Sequence, residues 1–172
     1  SSLYKEIYKE TFLTDQERHM IVEGDYYIHD MSDRLTAMNC CLFRIGTVLK
    51  DGFEMANVWY NEPKTLKTAF DVISDVVLSA ASQQYGGFTI PQVDKILSYY
   101  AEKSYKRYYD EYIELGLSPE KADSIAEQKI MEDYKQGFQG WEYKFNTVSS
   151  SRGDYPFITV TSGLDTSRWG QL

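Results

Sequence analysis

The sequence predicts an α/β chain that is predominantly helical, with long packed helices and only short strands. Three observations carry this. Leu66, Ala69, Phe70, Ile73, Val76, Val77 and Ala80 repeat at i, i+3, i+4, i+7 between Lys64 and Gln84. Two further long segments begin at prolines, Pro91 and Pro119, and end near glycines or a polar loop. Strand-like composition is confined to brief runs, chiefly Ala37 to Phe43 and Pro156 to Thr161.

In order, Leu3, Ile7, Tyr8 and Phe12 share helical spacing. Thr14 with Glu17 is a capping-box pattern opening a second helix, which Gly24 ends. Tyr26 to His29 is strand-like but short, and Asp30 to Arg34 is polar and reads as a turn or the start of a brief helix. Ala37 to Phe43, apolar apart from Asn39, predicts a buried strand feeding a short helix over Arg44 to Lys50, closed by Asp51-Gly52. Phe53 to Asn61 reads as irregular, anchored by Met55, Val58 and Trp59. Pro63 fits the first turn of the helix that continues to Gln84, and Gly86-Gly87 stops it. The next helix runs from Pro91 to about Leu115, with Gly116 after it. Ser118 caps a third long helix reaching Asn146, in which Gly137 and Gly140 mark a bend or a close contact. A polar loop, Ser149 to Asp154, precedes the last strand. No domain boundary appears, so residues 1–172 read as one segment.

Composition excludes several classes. The chain has 172 residues, 42% apolar and 15% aromatic, enough for a core. A net charge of −8 argues against a nucleic-acid partner, which needs clustered Lys and Arg. No apolar run approaches membrane-spanning length and no signal peptide is visible. The two cysteines are adjacent, so they make neither a disulfide framework nor a zinc site of the usual spacing, and they fit a reducing cytoplasm. The abrupt opening and close point to a fragment or a split subunit. Ser167-Arg168-Trp169-Gly170 reads as a loop with no destination.

The candidates for chemistry are few. Cys40, at the end of a strand, can give up hydrogen or act as a thiolate beside a cation. The commoner fate of a free cysteine is a small buried hydrophobe, and that reading also covers Cys41. His29-Asp30 suits an acid/base pair, although such a pair more often caps a turn. Backbone amides of the Ser149–Gly153 loop suit a phosphate, against the plainer reading of a polar connection. His19, mid-helix, reads as a surface residue.

The ordered set His29-Asp30, Asn39-Cys40-x-Leu42, Lys50-x-Gly52-Phe53, Asn57, Glu62-Pro63-Lys64 and Ser82-x-Gln84-Tyr85-Gly86-Gly87 resembles the anaerobic (class III) ribonucleoside triphosphate reductases. Asn146-Thr147-x-x-Ser150-Ser151-x-Gly153-x-x-Pro156-Phe157, then Gly163, Thr166 and Trp169, continue the likeness. The resemblance implies part of a glycyl-radical barrel like that of pyruvate formate-lyase, with a helix bundle at a homodimer interface. It implies reduction of ribonucleoside triphosphates with Cys40 as the barrel-strand cysteine. Asn39, Ser149, Ser150, Ser151 and Gly153 would approach the substrate, and Lys64, Lys67 and Gln84 would bind a dNTP or ATP effector. Cys41 gains no role.

The resemblance covers an early part of such an enzyme. The finger-loop cysteine, the glycyl-radical motif and the zinc-binding cysteines have no counterpart here. The radical, made by an iron–sulfur/S-adenosylmethionine activase, and the zinc are therefore expected in the complete enzyme, and this chain alone is expected to be inactive. A stand-alone dNTP-binding or dimerisation module, or a piece of another glycyl-radical enzyme, are the alternatives.

Overall fold

The computed structural model describes residues 2–23, 31, 40–83, 86–148, 155 and 157–172. Near the N-terminus, α1 (Ser2–Phe12) and α2 (Asp15–Glu23) meet at the expected capping box. The Thr14 backbone N–H donates to Glu17 Oε2 at 2.8 Å, and Glu17 N–H returns to Thr14 Oγ1 at 3.3 Å. Arg18 donates to the carbonyls of Lys9 and Leu13, at 3.0 and 3.1 Å, satisfying acceptors left open where α1 ends.

The main body is a three-stranded parallel sheet with helices in its crossovers. Strand β1 (Cys41–Leu42) leads through α3 (Ile45–Leu49), the hairpin β2 (Phe53–Met55) and β3 (Val58–Tyr60), and α4 (Leu66–Ala81) into β4 (Gly87–Ile90). Then α5 (Val93–Glu114) and α6 (Pro119–Thr147) lead into β5 (Phe157–Val160). The strand order is β1-β4-β5, with Cys41 opposite Phe88 and Phe88 opposite Ile158.

Helix α4 is the hub. Ala69, Phe70, Ile73, Val76 and Val77 are buried against α5, α6 and β4. Phe70 meets Trp141 edge-on at 4.8 Å and Phe138 at 5.1 Å. Trp141 Nε1–H donates to the Phe70 carbonyl at 2.8 Å, so the buried indole is satisfied. A Cβ on Gly137 would lie 2.3 Å from the Phe70 ring. Gly137 is thus the close contact, and α6 runs unbroken through both of its glycines. Between α5 and α6, Gly116 takes φ +85° and Leu117 N–H bonds the Tyr112 carbonyl at 3.1 Å, a Schellman close.

Several sequence expectations are corrected. The 53–61 segment is a hairpin, not irregular chain. Its two-residue turn, Ala56-Asn57, has positive φ at both positions (52° and 62°), the primed geometry that matches strand twist, but carries no glycine to announce it. Helix α4 ends at Ala81 with Ser82 as its C-cap, short of the expected Gln84, so Gly86-Gly87 is not its stop; Gly87 begins β4. Pro63 lies outside α4, whose N-cap is Thr65, accepting from Thr68 N–H. Of the predicted buried strand over 37–43, the described residues form strand at Cys41–Leu42, and Leu42 is 65% exposed. Residues 37–39 lie outside the described residues. The 163–172 segment has a destination: it docks along α5 and α6, with Trp169 4% exposed.

Candidate functional site

The three strands are parallel, so their starts share one end of the sheet. Cys40 stands there, immediately before β1. Its Sγ accepts a hydrogen bond from Gly87 N–H, the first residue of β4, at 3.3 Å. The bond uses a sulfur lone pair, which leaves the S–H hydrogen available for donation. Cys40 is exposed, so the buried-hydrophobe reading does not hold for it.

Alternation assigns this thiol to a face. Cys40 is two residues before Leu42 and belongs with Leu42, Thr89 and Phe157. That face is open: Phe157 is 75% exposed, whereas Phe88 and Ile90 on the other face are fully buried under the helices. A Cβ at Gly87 would meet only the Phe157 carbonyl, at an ordinary 3.5 Å. Among the described residues, packing therefore does not demand glycine at 87. An apolar hollow of about 560 Å³ adjoins Leu42, walled by Phe43, Phe53, Met55 and Val76.

The other predicted site residues divide sharply. Asn39, Gln84, Ser149, Ser150, Ser151 and Gly153, like His29 and Asp30, lie outside the described residues. Lys64 is exposed just ahead of α4. Lys67, in the first turn of α4, has its Nζ 3.2 Å from Oδ1 of Asp133, which is buried on α6. Tyr108 Oη donates to the other Asp133 oxygen at 2.9 Å, and burial together with this bond pushes its phenol up to about 12. Lys67 therefore joins α4 to α6 and does not stand beside Cys40's end of the sheet as a free cation. His19 is exposed on α2, as expected.

Sequence reasoning missed a second cluster near Lys64. Lys103 Nζ donates to Glu62 Oε1 at 2.7 Å and lies 4.4 Å from the centre of the Tyr99 ring. The bond from Lys103 holds the Glu62 carboxyl below its usual range. Burial opposes the charge on Lys103, but its bonds to Glu62 and Tyr99 outweigh that and raise its pKa. Next to the cluster is a cavity of about 270 Å³ lined by Lys50, Lys95, Ile96, Tyr99 and Tyr100. The Glu62-Pro63-Lys64 run was the only sequence signal for this cluster, because Lys103 lies on a different helix.

Among the described residues no group of three His, Cys, Asp or Glu side chains is placed to hold a metal ion. No described helix is long and apolar enough to cross a membrane.

Comparison with known proteins bears directly on this arrangement. The sequence profile described as anaerobic ribonucleoside-triphosphate reductase matches residues 1–172. The anaerobic ribonucleoside-triphosphate reductase of Enterobacteria phage T4 is 37% identical over 145 residues, 83% of this chain and 24% of that protein. The Escherichia coli K12 enzyme of the same name is 32% identical over 146 residues, 84% of this chain and 20% of that protein. In fold, the chain resembles the anaerobic ribonucleotide reductase of Thermotoga maritima, solved in complex with dATP and CTP, with a TM-score of 0.57 at 19% identity over 91% of this chain and 24% of that one. The chain thus spans between a fifth and a quarter of the length of these relatives. With the whole of it matched by the profile, the chain belongs to the anaerobic ribonucleoside-triphosphate reductase family.

Proposed function

We propose that this chain forms the early part of a catalytic barrel that reduces ribonucleoside triphosphates to deoxyribonucleotides. The observation that carries the reading is Cys40: an exposed thiol on the uncovered face of a parallel sheet, bonded to the first amide of the neighbouring strand. Parallel sheets are normally covered on both faces. In this reading the open face is the barrel interior, where substrate lies.

The chemistry assigned to this chain is the reduction half. A cysteine outside it takes the ribose 3′-hydrogen and returns it at the end, the 2′-hydroxyl leaves as water, and the Cys40 S–H supplies hydrogen to C2′. An external donor, formate or a thiol system, restores the Cys40 thiol and supplies the electrons that reduce the oxidised 3′ carbon. Asn39 and the Ser149–Gly153 loop are assigned to substrate through the family resemblance; in sequence they precede β1 and β5. The radical and zinc do not fit the residues of this chain: the two adjacent cysteines and the described carboxylates form no cluster for a metal. They belong to the remainder of the enzyme, as does the contact with the activase. The helices from Lys64 onward are assigned to a homodimer contact and to a dNTP or ATP effector, with Lys64, Lys67 and Gln84 near the phosphates. For Lys67 this requires exchanging Asp133 for the ligand. The reaction suits a reducing, anaerobic cytoplasm.

The test is Cys40→Ser in the complete enzyme. Product formation is expected to vanish while dNTP binding, measured by calorimetry, stays unchanged. Normal turnover in that variant removes Cys40 from the mechanism.

A further inference from the structure

The segment leaving β5 follows one row of α5. Thr161 meets the head of the helix: its carbonyl accepts from Val93 N–H and its Oγ1 from Gln92 N–H, each at 2.9 Å. Asp94 Oδ2 then accepts three successive backbone N–H groups, from Gly163, Leu164 and Asp165, at 3.0, 2.8 and 2.7 Å. Ser98 Oγ donates to the Asp165 carboxylate, and Trp169 Nε1–H donates to Glu102 at 2.5 Å. Asp94, Ser98 and Glu102 are spaced four apart, so they form a single track along the helix. On the far side, Arg168 reaches Asp123 and Glu127 of α6, and Tyr134 Oη donates to the Trp169 carbonyl.

Asp94 is the least replaceable of these ties. It is 8% exposed, and its second oxygen, Oδ1, is buried without a hydrogen-bond partner among the described residues. A buried carboxylate kept in that state is costly unless its bonded oxygen does work that outweighs it. Burial opposes its ionisation, but the amides of 163–165 and Lys95 outweigh that and hold the carboxyl below its usual range. The tie is therefore permanent at any physiological pH, a fixed joint and not a switch.

We infer that Asp94 is the positioning residue through which α5 sets where β5 sits, so that the helices and the sheet carrying Cys40 shift as one body. The inference rests on the reading of these helices as the effector and dimer side. Its warrant is a continuous run of hydrogen bonds from α5 to the segment that leaves β5, not nearness. A dNTP that displaces α5 then moves the exit of β5 with it.

The experiment uses the complete enzyme, wild type, Asp94→Asn and Asp94→Ala. Three quantities are read: amide hydrogen exchange at 163–165, dNTP affinity without substrate, and the ratio of turnover with and without dNTP. In Asp94→Ala the three amides are expected to lose protection and the dNTP stimulation to fall roughly five-fold or more. Affinity for dNTP and unstimulated turnover stay within about two-fold. Asp94→Asn, which keeps the shape and one acceptor oxygen, is expected to lie between; it also serves if the alanine variant does not fold. Freed amides with undiminished stimulation overturn the inference, and so do amides that stay protected in Asp94→Ala. A wild-type enzyme indifferent to every dNTP overturns the effector reading itself, a failure distinguished by appearing before any substitution is made.

Discussion

The two faces of the parallel sheet are built on opposite terms. On the helix side, Phe88 and Ile90 are fully buried and continue into the cluster around Phe70, Ile73 and Leu97. On the other side, Leu42 and Phe157 are more than half exposed, and the one free thiol described on the chain stands among them. The first face obeys packing at the central strand, where Phe88 and Ile90 are enclosed by the helices. The second holds large apolar side chains that the described packing leaves largely uncovered. Residues that folding leaves unexplained are where function is best sought.

That contrast is open to measurement. The largest expected effect is at Phe70. Phe70→Ala removes a ring packed edge-on by Tyr134, Phe138 and Trp141 and is expected to destabilise by about 3–5 kcal/mol, read from denaturant midpoints. A loss near zero would mean the helix side is not the core. The intermediate effect is acidification. Asp94, Asp123 and Asp165 all have carboxyl pKa values held below the ordinary range by hydrogen bonds. A depressed folded-state pKa contributes stability above the unfolded value, about 3.9, and that contribution is lost as pH falls through the folded value. The 161–169 segment is therefore expected to detach on the acid side of about pH 4, reported by exposure of Trp169 in fluorescence. Detachment on the alkaline side would contradict the assignment. The smallest effect is at Phe157. Phe157→Ser, on the open face, is expected to change the stability of the 172-residue chain by no more than about 0.5 kcal/mol. A loss comparable to Phe70→Ala would erase the distinction between the faces.

What the sequence disclosed follows from the range of the interactions involved. The long helices were legible because their apolar rows repeat within a few residues, and Thr14, Ser118 and Gly116 mark their ends by local chemistry. Strand β4 was hidden by its own glycine, which looks like a helix stop and is also the first strand residue. The hairpin was hidden because Ala56-Asn57 adopts a glycine-like turn without glycine. The site was legible only in part. Cys40 stood out through the order of residues around it, not through local pattern, which favoured burial. Asp94 gave no usable signal beyond an acid in the first turn of a helix, because the amides it serves lie 69 to 71 positions further on. The resemblance alone points Lys67 to an effector, and only the fold reveals its ion pair with Asp133.

The strand order carries one consequence for how the chain assembles. The pairs Cys41 with Phe88 and Phe88 with Ile158 join residues far apart along the polypeptide, whereas α5 and α6 are linked by a turn of a few residues. Closing long loops costs entropy that local helices do not pay, so the helical hairpin is expected to form first and the sheet last. Strand β1, two residues long, has too little pairing to persist alone. The amide that holds the Cys40 sulfur is presented only once β4 has settled between its neighbours. During synthesis the thiol therefore acquires its position only after Val160 has emerged, more than a hundred residues after the cysteine itself.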